Sequence, residues 1–206
     1  MTNAATLSHD LLYTLTESLI GLALALVGCI FTRVLWVWVP FSTSTTMRWA
    51  VALKSVPVVA IAPLLTVWFG NALGTKAVLA AMISFFPILV GFHDGRRSVP
   101  SALLDIAELA PASGWRRFWY IELPASLPSV TSSLTVAAPL ATVGALVAEF
   151  SGADVGVGHL ILISAYRNQV VAMTGGIVLA AALGVVLYGA AAGFDLAVRR
   201  RLRHVA

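Results

Sequence analysis

The chain alternates between long apolar runs and short segments that are rich in polar and charged residues. Five apolar runs stand out, at residues 11–39, 49–69, 75–92, 128–148 and 170–196. Each is near the roughly 20 residues that an α-helix needs to cross a bilayer. The runs are continuously apolar, whereas a membrane β-strand alternates over about ten residues. The pattern predicts one all-α domain over residues 1–206, a polytopic membrane bundle of about five transmembrane helices.

Composition supports a membrane location and narrows the possible chemistry. Hydrophobic residues make up 59% of the chain and charged residues 11%, whereas soluble domains carry roughly 25% charged residues. The net charge of +4 does not indicate a nucleic-acid partner, because the basic residues lie at the edges of apolar runs and form no stripe. The single cysteine, Cys29, excludes a disulfide within the chain and a cysteine metal cluster. The chain is therefore expected to be embedded in membrane lipid.

The distribution of lysine and arginine predicts the orientation. Residues 93–124, between the third and fourth runs, hold too many charges for hydrocarbon and are expected to form a cytoplasmic loop. With that loop inside, only Lys76 and Arg167 of the 13 basic residues lie outside. Because basic residues accumulate on the cytoplasmic side, this favours a multi-pass protein of the bacterial inner membrane. Its N-terminus is expected outside and its C-terminus in the cytoplasm.

Residues 105–114 within this loop have the pattern of a short amphipathic helix. Asp105 suits the positive end of a helix dipole, and Ile106, Leu109 and Ala110 fall on one face. Pro111 limits the helix, and Gly114 permits a reversal toward the membrane. The residues alone allow either a solvated loop with a membrane-anchoring helix or a helix that docks on a partner.

The same loop resembles the cytoplasmic motif of binding-protein-dependent ABC importer permeases. That motif reads Glu-Ala-Ala, three residues, Gly, nine residues, Ile-x-Leu-Pro. Residues 121–124 match its end fully, the motif's glycine falls on Pro111, and its first three residues fall on Asp-Ile-Ala at 105–107. Residues 54–70, 85–89 and 148–161 look like segments of the nitrate, sulfonate and taurine permeases, in the same order. These permeases usually carry one further helix at the N-terminus, before the five-helix core.

The resemblance implies a non-catalytic permease subunit that forms a translocation pathway. Its implied partners are a second permease subunit, identical or paralogous, two cytoplasmic ABC ATPases and an external solute-binding protein. No cofactor or metal is expected in this chain, since ATP and Mg would be bound by the ATPase. The resemblance assigns ATPase coupling to Asp105, Ile106, Ala107, Glu108, Leu109, Pro111, Ala112, Ser113 and Gly114, although Glu108 is equally compatible with simple solvation. Ile121, Leu123 and Pro124 would brace the loop against the membrane.

Several residues inside or beside the spans are candidates for the pathway. Pro57 and Pro63 fit bent helices that line a passage, or kinks without substrate contact. Ser132 and Ser133 can hydrogen-bond a substrate or a neighbouring helix. Glu149 can cap a helix, pair with Arg167 or contact a docking partner.

Two other classes of function also fit the hydrophobicity. A stand-alone secondary transporter or channel would leave the spacing of the inner loop unexplained. A membrane-embedded enzyme should carry several ionisable residues inside its spans, and here the main ones are Glu17 and Lys54, which can both reach an interface. For an importer, the expected substrate is a small polar or anionic solute, such as a sulfonate, taurine, nitrate or a vitamin precursor.

Overall fold

A computed structural model describes residues 4–38, 57–99 and 114–203, and every element in these ranges is helical. The predicted all-α fold class is therefore confirmed. We number the helices α1 (Ala4–Trp38), α2 (Val58–Phe69), α3 (Leu73–Arg97), α4 (Gly114–Arg117, a π-helical turn at Phe118–Glu122, then Leu123–Phe150), α5 (Val157–Tyr166) and α6 (Val170–Arg203).

Four of these helices are long and apolar enough to cross a membrane, at Thr6–Leu35, Leu73–Arg97, Trp115–Phe150 and Val170–Leu202. The α2 helix has only 12 residues, and residues 49–56 of the second predicted span lie outside the described ranges. The α3 and α4 helices extend beyond the apolar runs at 75–92 and 128–148. Within these extensions, Arg96 of α3 and Arg117 of α4 both lie within ion-pair distance of Glu122.

The helices α1, α3 and α4 form the centre of the bundle. Small residues bring their backbones together, as is common between membrane helices. A Cβ on Gly144 of α4 would lie 2.6 Å from the Cα of Ala80 in α3, and one on Gly91 of α3 would overlap the side chain of Ser133 in α4. The α6 helix packs against α4 on the outside of this centre.

Apolar side chains fill the space between the three central helices. The buried residues there are Ala25, Cys29, Ile88, Leu89, Phe92, Val130, Leu134 and Ala137. The thiol of Cys29 lies 3.4 Å from the carbonyl oxygen of Phe85, so α1 and α3 are in direct contact at this level. The described interior is therefore a packed core.

Candidate functional site

A buried group of charges, which we call the lysine cluster, joins α1, α3 and α4 near one end of the bundle. Lys76 Nζ lies 3.4 Å from Glu17 Oε1 and 4.8 Å from the centre of the Tyr13 ring. Glu149 interacts electrostatically with both Glu17 and Lys76. The three charged residues are at most 1% exposed. The sequence pattern put Lys76 outside the membrane and allowed Glu17 to reach the interface, but both are enclosed by the bundle.

Glu149 and two α1 side chains also hold the start of α5. Thr14 donates a hydrogen bond to Glu149 Oε1 at 2.6 Å and accepts one from the backbone N–H of Val157 at 2.9 Å. Glu149 Oε2 accepts from the N–H of Gly158, and Asp10 accepts from the N–H of Gly156 at 3.1 Å. The first backbone N–H groups of a helix have no hydrogen-bond acceptor within that helix. At the start of α5, side chains of α1 and α4 supply the acceptors. Of the roles open to Glu149, the structure contains the helix cap.

A second group, which we call the arginine cluster, joins the same three helices near the other end. Glu122, at the end of the π-helical turn, is its centre. Its Oε2 accepts a hydrogen bond from Arg33 Nη2 of α1 at 3.0 Å. Its Oε1 lies 3.3 Å from Arg117 Nε of α4 and 3.5 Å from Arg96 Nε of α3. The Arg33 and Glu122 side chains are 5% and 10% exposed.

The π-helical turn determines which residues of α4 face the arginine cluster. The N–H of Leu123 donates to the carbonyl oxygen of Phe118, five residues earlier. Phe118 and Glu122 are buried, whereas Trp119 and Tyr120 are exposed. Trp115, Phe118 and Trp119 meet edge to face, with ring centres 5.5 to 5.6 Å apart. The turn therefore directs one carboxylate inward and leaves aromatic rings at the surface, where they suit a membrane interface.

The two clusters are separated by about one membrane thickness. With a rise of about 1.5 Å per residue, Glu17 and Arg33 are roughly 24 Å apart along α1, and Lys76 and Arg96 roughly 30 Å apart along α3. The hydrocarbon core of a bilayer is about 30 Å thick. Each of the three central helices thus contributes a charged residue near each face of the membrane.

The residues expected to couple to an ATPase lie mostly outside the described ranges, at Asp105, Ile106, Ala107, Glu108, Leu109, Pro111, Ala112 and Ser113. Gly114 is the first residue of α4. Of the bracing residues, Ile121 and Leu123 are half-buried on either side of Glu122, and Pro124 is exposed. The expected brace therefore adjoins the arginine cluster.

The pathway candidates are scattered. Pro57 precedes α2 and Pro63 lies within it, and both are exposed. Ser132 and Ser133 are half-buried on α4, and Ser133 donates a hydrogen bond to the carbonyl oxygen of Val130 at 2.7 Å within its own helix. Since Ser133 also fills the space at Gly91, its observed contacts are helix packing.

Within residues 4–38, 57–99 and 114–203, no group of three His, Cys, Asp or Glu residues could hold a metal ion. A groove of about 430 Å³ between α4 and α6 is lined mainly by apolar atoms, from residues such as Pro139, Val143 and Tyr188. These features suit helix packing and contact with lipid or another protein chain.

Comparison with known proteins agrees with this architecture. The family model described as "Binding-protein-dependent transport system inner membrane component" matches residues 25–204. A probable ABC transporter permease protein of Haemophilus influenzae is 33% identical over 190 residues, which cover 91% of this chain and 76% of that protein.

Two relatives with named substrates match over shorter stretches. The riboflavin transport system permease protein RibX of Chloroflexus aurantiacus is 41% identical over 113 residues, 55% of this chain and 42% of RibX. The formylaminopyrimidine transport permease protein ThiX of Halalkalibacterium halodurans is 34% identical over 146 residues, 71% of this chain and 58% of ThiX. The matches thus span about half the length of these two relatives. Since the family model covers most of the chain, this protein belongs to the inner-membrane components of binding-protein-dependent transport systems, the permease subunits of ABC importers.

Proposed function

We propose that this permease forms a translocation pathway together with a second permease subunit, and that cytoplasmic ATPases drive it through the segment at residues 105–114. The observation that carries the proposal is the position of the two helix ends that flank residues 100–113, the end of α3 and the start of α4. Arg96, near the end of α3, and Arg117, near the start of α4, both pair with Glu122. The two helix ends that flank residues 100–113 therefore lie at the same end of the bundle, and an ATPase that binds these residues would act there.

We assign this end to the cytoplasm. Arg33, Arg96, Arg97, Arg116, Arg117 and the run from Arg199 to Arg203 are all carried by the helix ends on this side. Lys76 and Arg167 belong to the opposite end. Because lysine and arginine accumulate on the cytoplasmic side, the lysine cluster would face the outside, where an external solute-binding protein would dock.

A partner subunit is proposed because the described interior of one chain is packed. Apolar side chains fill the space between α1, α3 and α4, and the groove between α4 and α6 is itself mainly apolar. A polar solute would need hydrogen-bonding groups along its route, since unpaired polar groups are costly in hydrocarbon. A pathway between two permease subunits meets this need without opening the core of either. Pro57, Pro63 and Ser132 remain candidates for its lining, whereas the contacts of Ser133 and of the fully buried Glu149 lie within the chain.

ATP hydrolysis is assigned to the partner ATPases, which would bind ATP and Mg. The substrate is proposed to be a small polar or anionic solute. This class follows from the resemblance to sulfonate, taurine and nitrate permeases, and the names of RibX and ThiX add heterocyclic compounds related to vitamins. A stand-alone secondary transporter or channel is not favoured, because the family works with other subunits. Ligand screening on the solute-binding protein that works with this permease would identify the substrate.

The coupling role is tested by adding a charge to the apolar face of the loop. Burying a leucine-sized side chain is worth about 1.5 to 3 kcal/mol, so Leu109→Asp should weaken ATPase binding by about tenfold or more. Ala107→Asp should act similarly. The matched control is Ala197→Asp, which adds the same charge to an exposed site of α6 at the same end of the bundle. The measurement is the amount of ATPase that co-purifies with the permease.

The two outcomes of this experiment are distinct. Loss of the ATPase in the loop variants, with retention in the α6 control, supports coupling through residues 105–114. Normal ATPase binding by both loop variants would refute it, and the loop would then be a solvated connection.

A further inference from the structure

We propose that Glu122 is a positioning residue that makes α1 follow the movement of the cytoplasmic segment at residues 100–113. This inference rests on the proposed function, because it assumes that an ATPase moves that segment. The Glu122 carboxylate is the common partner of arginines from α1, α3 and α4.

The contacts of Glu122 are divided in a way that suits this role. Its Oε1 engages Arg96 and Arg117, which lie close to the two ends of the segment. Its Oε2 engages Arg33, which belongs to α1 and is distant from the segment in sequence. A displacement of either end of the segment would therefore act on α1 through Glu122, in addition to the direct packing of α1 against α3.

Burial favours a positioning role over a general contribution to stability. A buried ion pair gains little net stability, because removing both charges from water offsets their attraction, and its best-attested use is to specify one arrangement of helices. Glu122 and Arg33 fit that description, with side chains 10% and 5% exposed. By contrast, Arg199 of the Asp195–Arg199 pair is 44% exposed, and the two residues lie one turn apart on α6. Both residues of that pair lie on α6, and they contact α4 only through neutral groups, the Thr131 hydroxyl and the Pro128 carbonyl oxygen.

The π-helical turn supplies independent support. A π turn is rare, costs regular helical geometry and often occurs at functional sites. Here it spans Phe118–Glu122 and ends at the residue that the arginines share. It also lies in the first part of α4, between the segment and the membrane-spanning part of the helix.

The native cysteine provides a reporter for the movement of α1. Cys29 lies one helical turn before Arg33, is fully buried and contacts the carbonyl oxygen of Phe85 in α3. If α1 and α3 move together, the thiol stays protected when the ATPase closes on nucleotide. If the link through Glu122 is broken, closure should separate the two helices and expose the thiol.

The experiment measures the rate at which a membrane-permeant maleimide modifies Cys29 in the purified permease–ATPase complex. Each complex is tested without nucleotide and after trapping with ATP and vanadate. In the wild-type complex, the maleimide should modify Cys29 at the same rate in both states. In Glu122→Gln, trapping should raise it by about 2- to 30-fold, the range seen when residues that couple two sites are changed.

Arg96→Gln is the second variant, because the Arg96 side chain is 35% exposed and its loss is compatible with folding. Its matched control is Arg97→Gln, which removes the same charge from the adjacent, exposed residue. Arg96→Gln should show the nucleotide-dependent increase, and Arg97→Gln should not. A purely structural role for Glu122 would raise the rate equally in both states.

Three results would overturn the inference. The first is an equal rate of Cys29 labelling in Arg96→Gln and Arg97→Gln after trapping. The second is a labelling rate in Glu122→Gln that rises equally with and without nucleotide. The third is a nucleotide-dependent rise of the labelling rate in the wild-type complex. Failure of the wild-type permease to bind an ATPase would instead overturn the proposed function, and this inference with it.

Discussion

Replacing Lys76 with methionine should destabilise the bundle more than replacing Glu17 with glutamine. The lysine cluster contains two acids and one base, and all three residues are at most 1% exposed. Lys76→Met leaves Glu17 and Glu149 buried without a cation. Removing one partner of a buried ion pair costs about 3 to 5 kcal/mol, because the remaining charge is uncompensated.

The Glu17→Gln variant has a smaller expected cost. Lys76 would keep its electrostatic interaction with Glu149 and its position over the Tyr13 ring. The loss should therefore be about 1.5 to 3 kcal/mol, as for a hydrogen bond to a charged group. The double variant Glu17→Gln/Lys76→Met should be more stable than Lys76→Met alone, since only Glu149 remains charged and Thr14 and Gly158 still donate to it.

The assay is reversible unfolding in mixed micelles, followed by the fluorescence of the six tryptophans. Asp154→Asn serves as the control, because it removes an exposed acid near the same end of the bundle and should cost little. If Lys76→Met is no less stable than Glu17→Gln, then Lys76 does not compensate both acids, and the reasoning from charge balance is wrong.

Three further predictions concern the cap of α5, the helix contact at Gly91 and the orientation. Thr14→Val should cost about 1 to 3 kcal/mol and speed amide exchange at Val157, because it leaves a buried N–H unpaired, whereas Thr16→Val on the exposed side of α1 should change neither. Gly91→Val should cost about 1 to 3 kcal/mol or prevent folding, because its side chain would overlap Ser133, whereas Gly189→Val meets open space and should be tolerated. A cysteine at Thr2 should be labelled from outside the cell and one at Ala206 from the cytoplasm, and exclusive cytoplasmic labelling of position 2 would reverse the proposed topology.

The helical class of the fold followed from the sequence for a clear physical reason. Apolar runs near spanning length have few alternatives to helix in a bilayer, so long helices were predicted around Ala25, Ile88, Leu134 and Leu183. The residues at which the helices begin and end were harder to predict from the sequence. Arg96 and Arg117 lie beyond the apolar runs at 75–92 and 128–148, but both are helical and pair with Glu122.

The two buried clusters were missed because they depend on which helices meet. Glu17, Lys76 and Glu149 are separated by many residues, and no local pattern links them. The available signal was the presence of ionisable residues in or beside apolar runs, which are costly unless paired. That signal pointed to Glu17 and to Lys54, which lies outside the described ranges, but not to Lys76 at the start of its run or to Glu149 at the end of its run. Glu122 was missed for another reason. It occupies the variable position x of the Ile-x-Leu-Pro part of the motif, so the motif assigns it no role.

The mass of the intact complex tests the central claim most directly. The permease is expressed with the ABC ATPase of its own transport system, purified through a tag on the permease alone and analysed by native mass spectrometry. A permease subunit of an ABC importer should appear in an assembly of two permease chains, identical or paralogous, with two ATPases. A stable assembly of one permease with one ATPase would contradict the proposed pathway between subunits, and a permease that carries no ATPase would contradict the account as a whole.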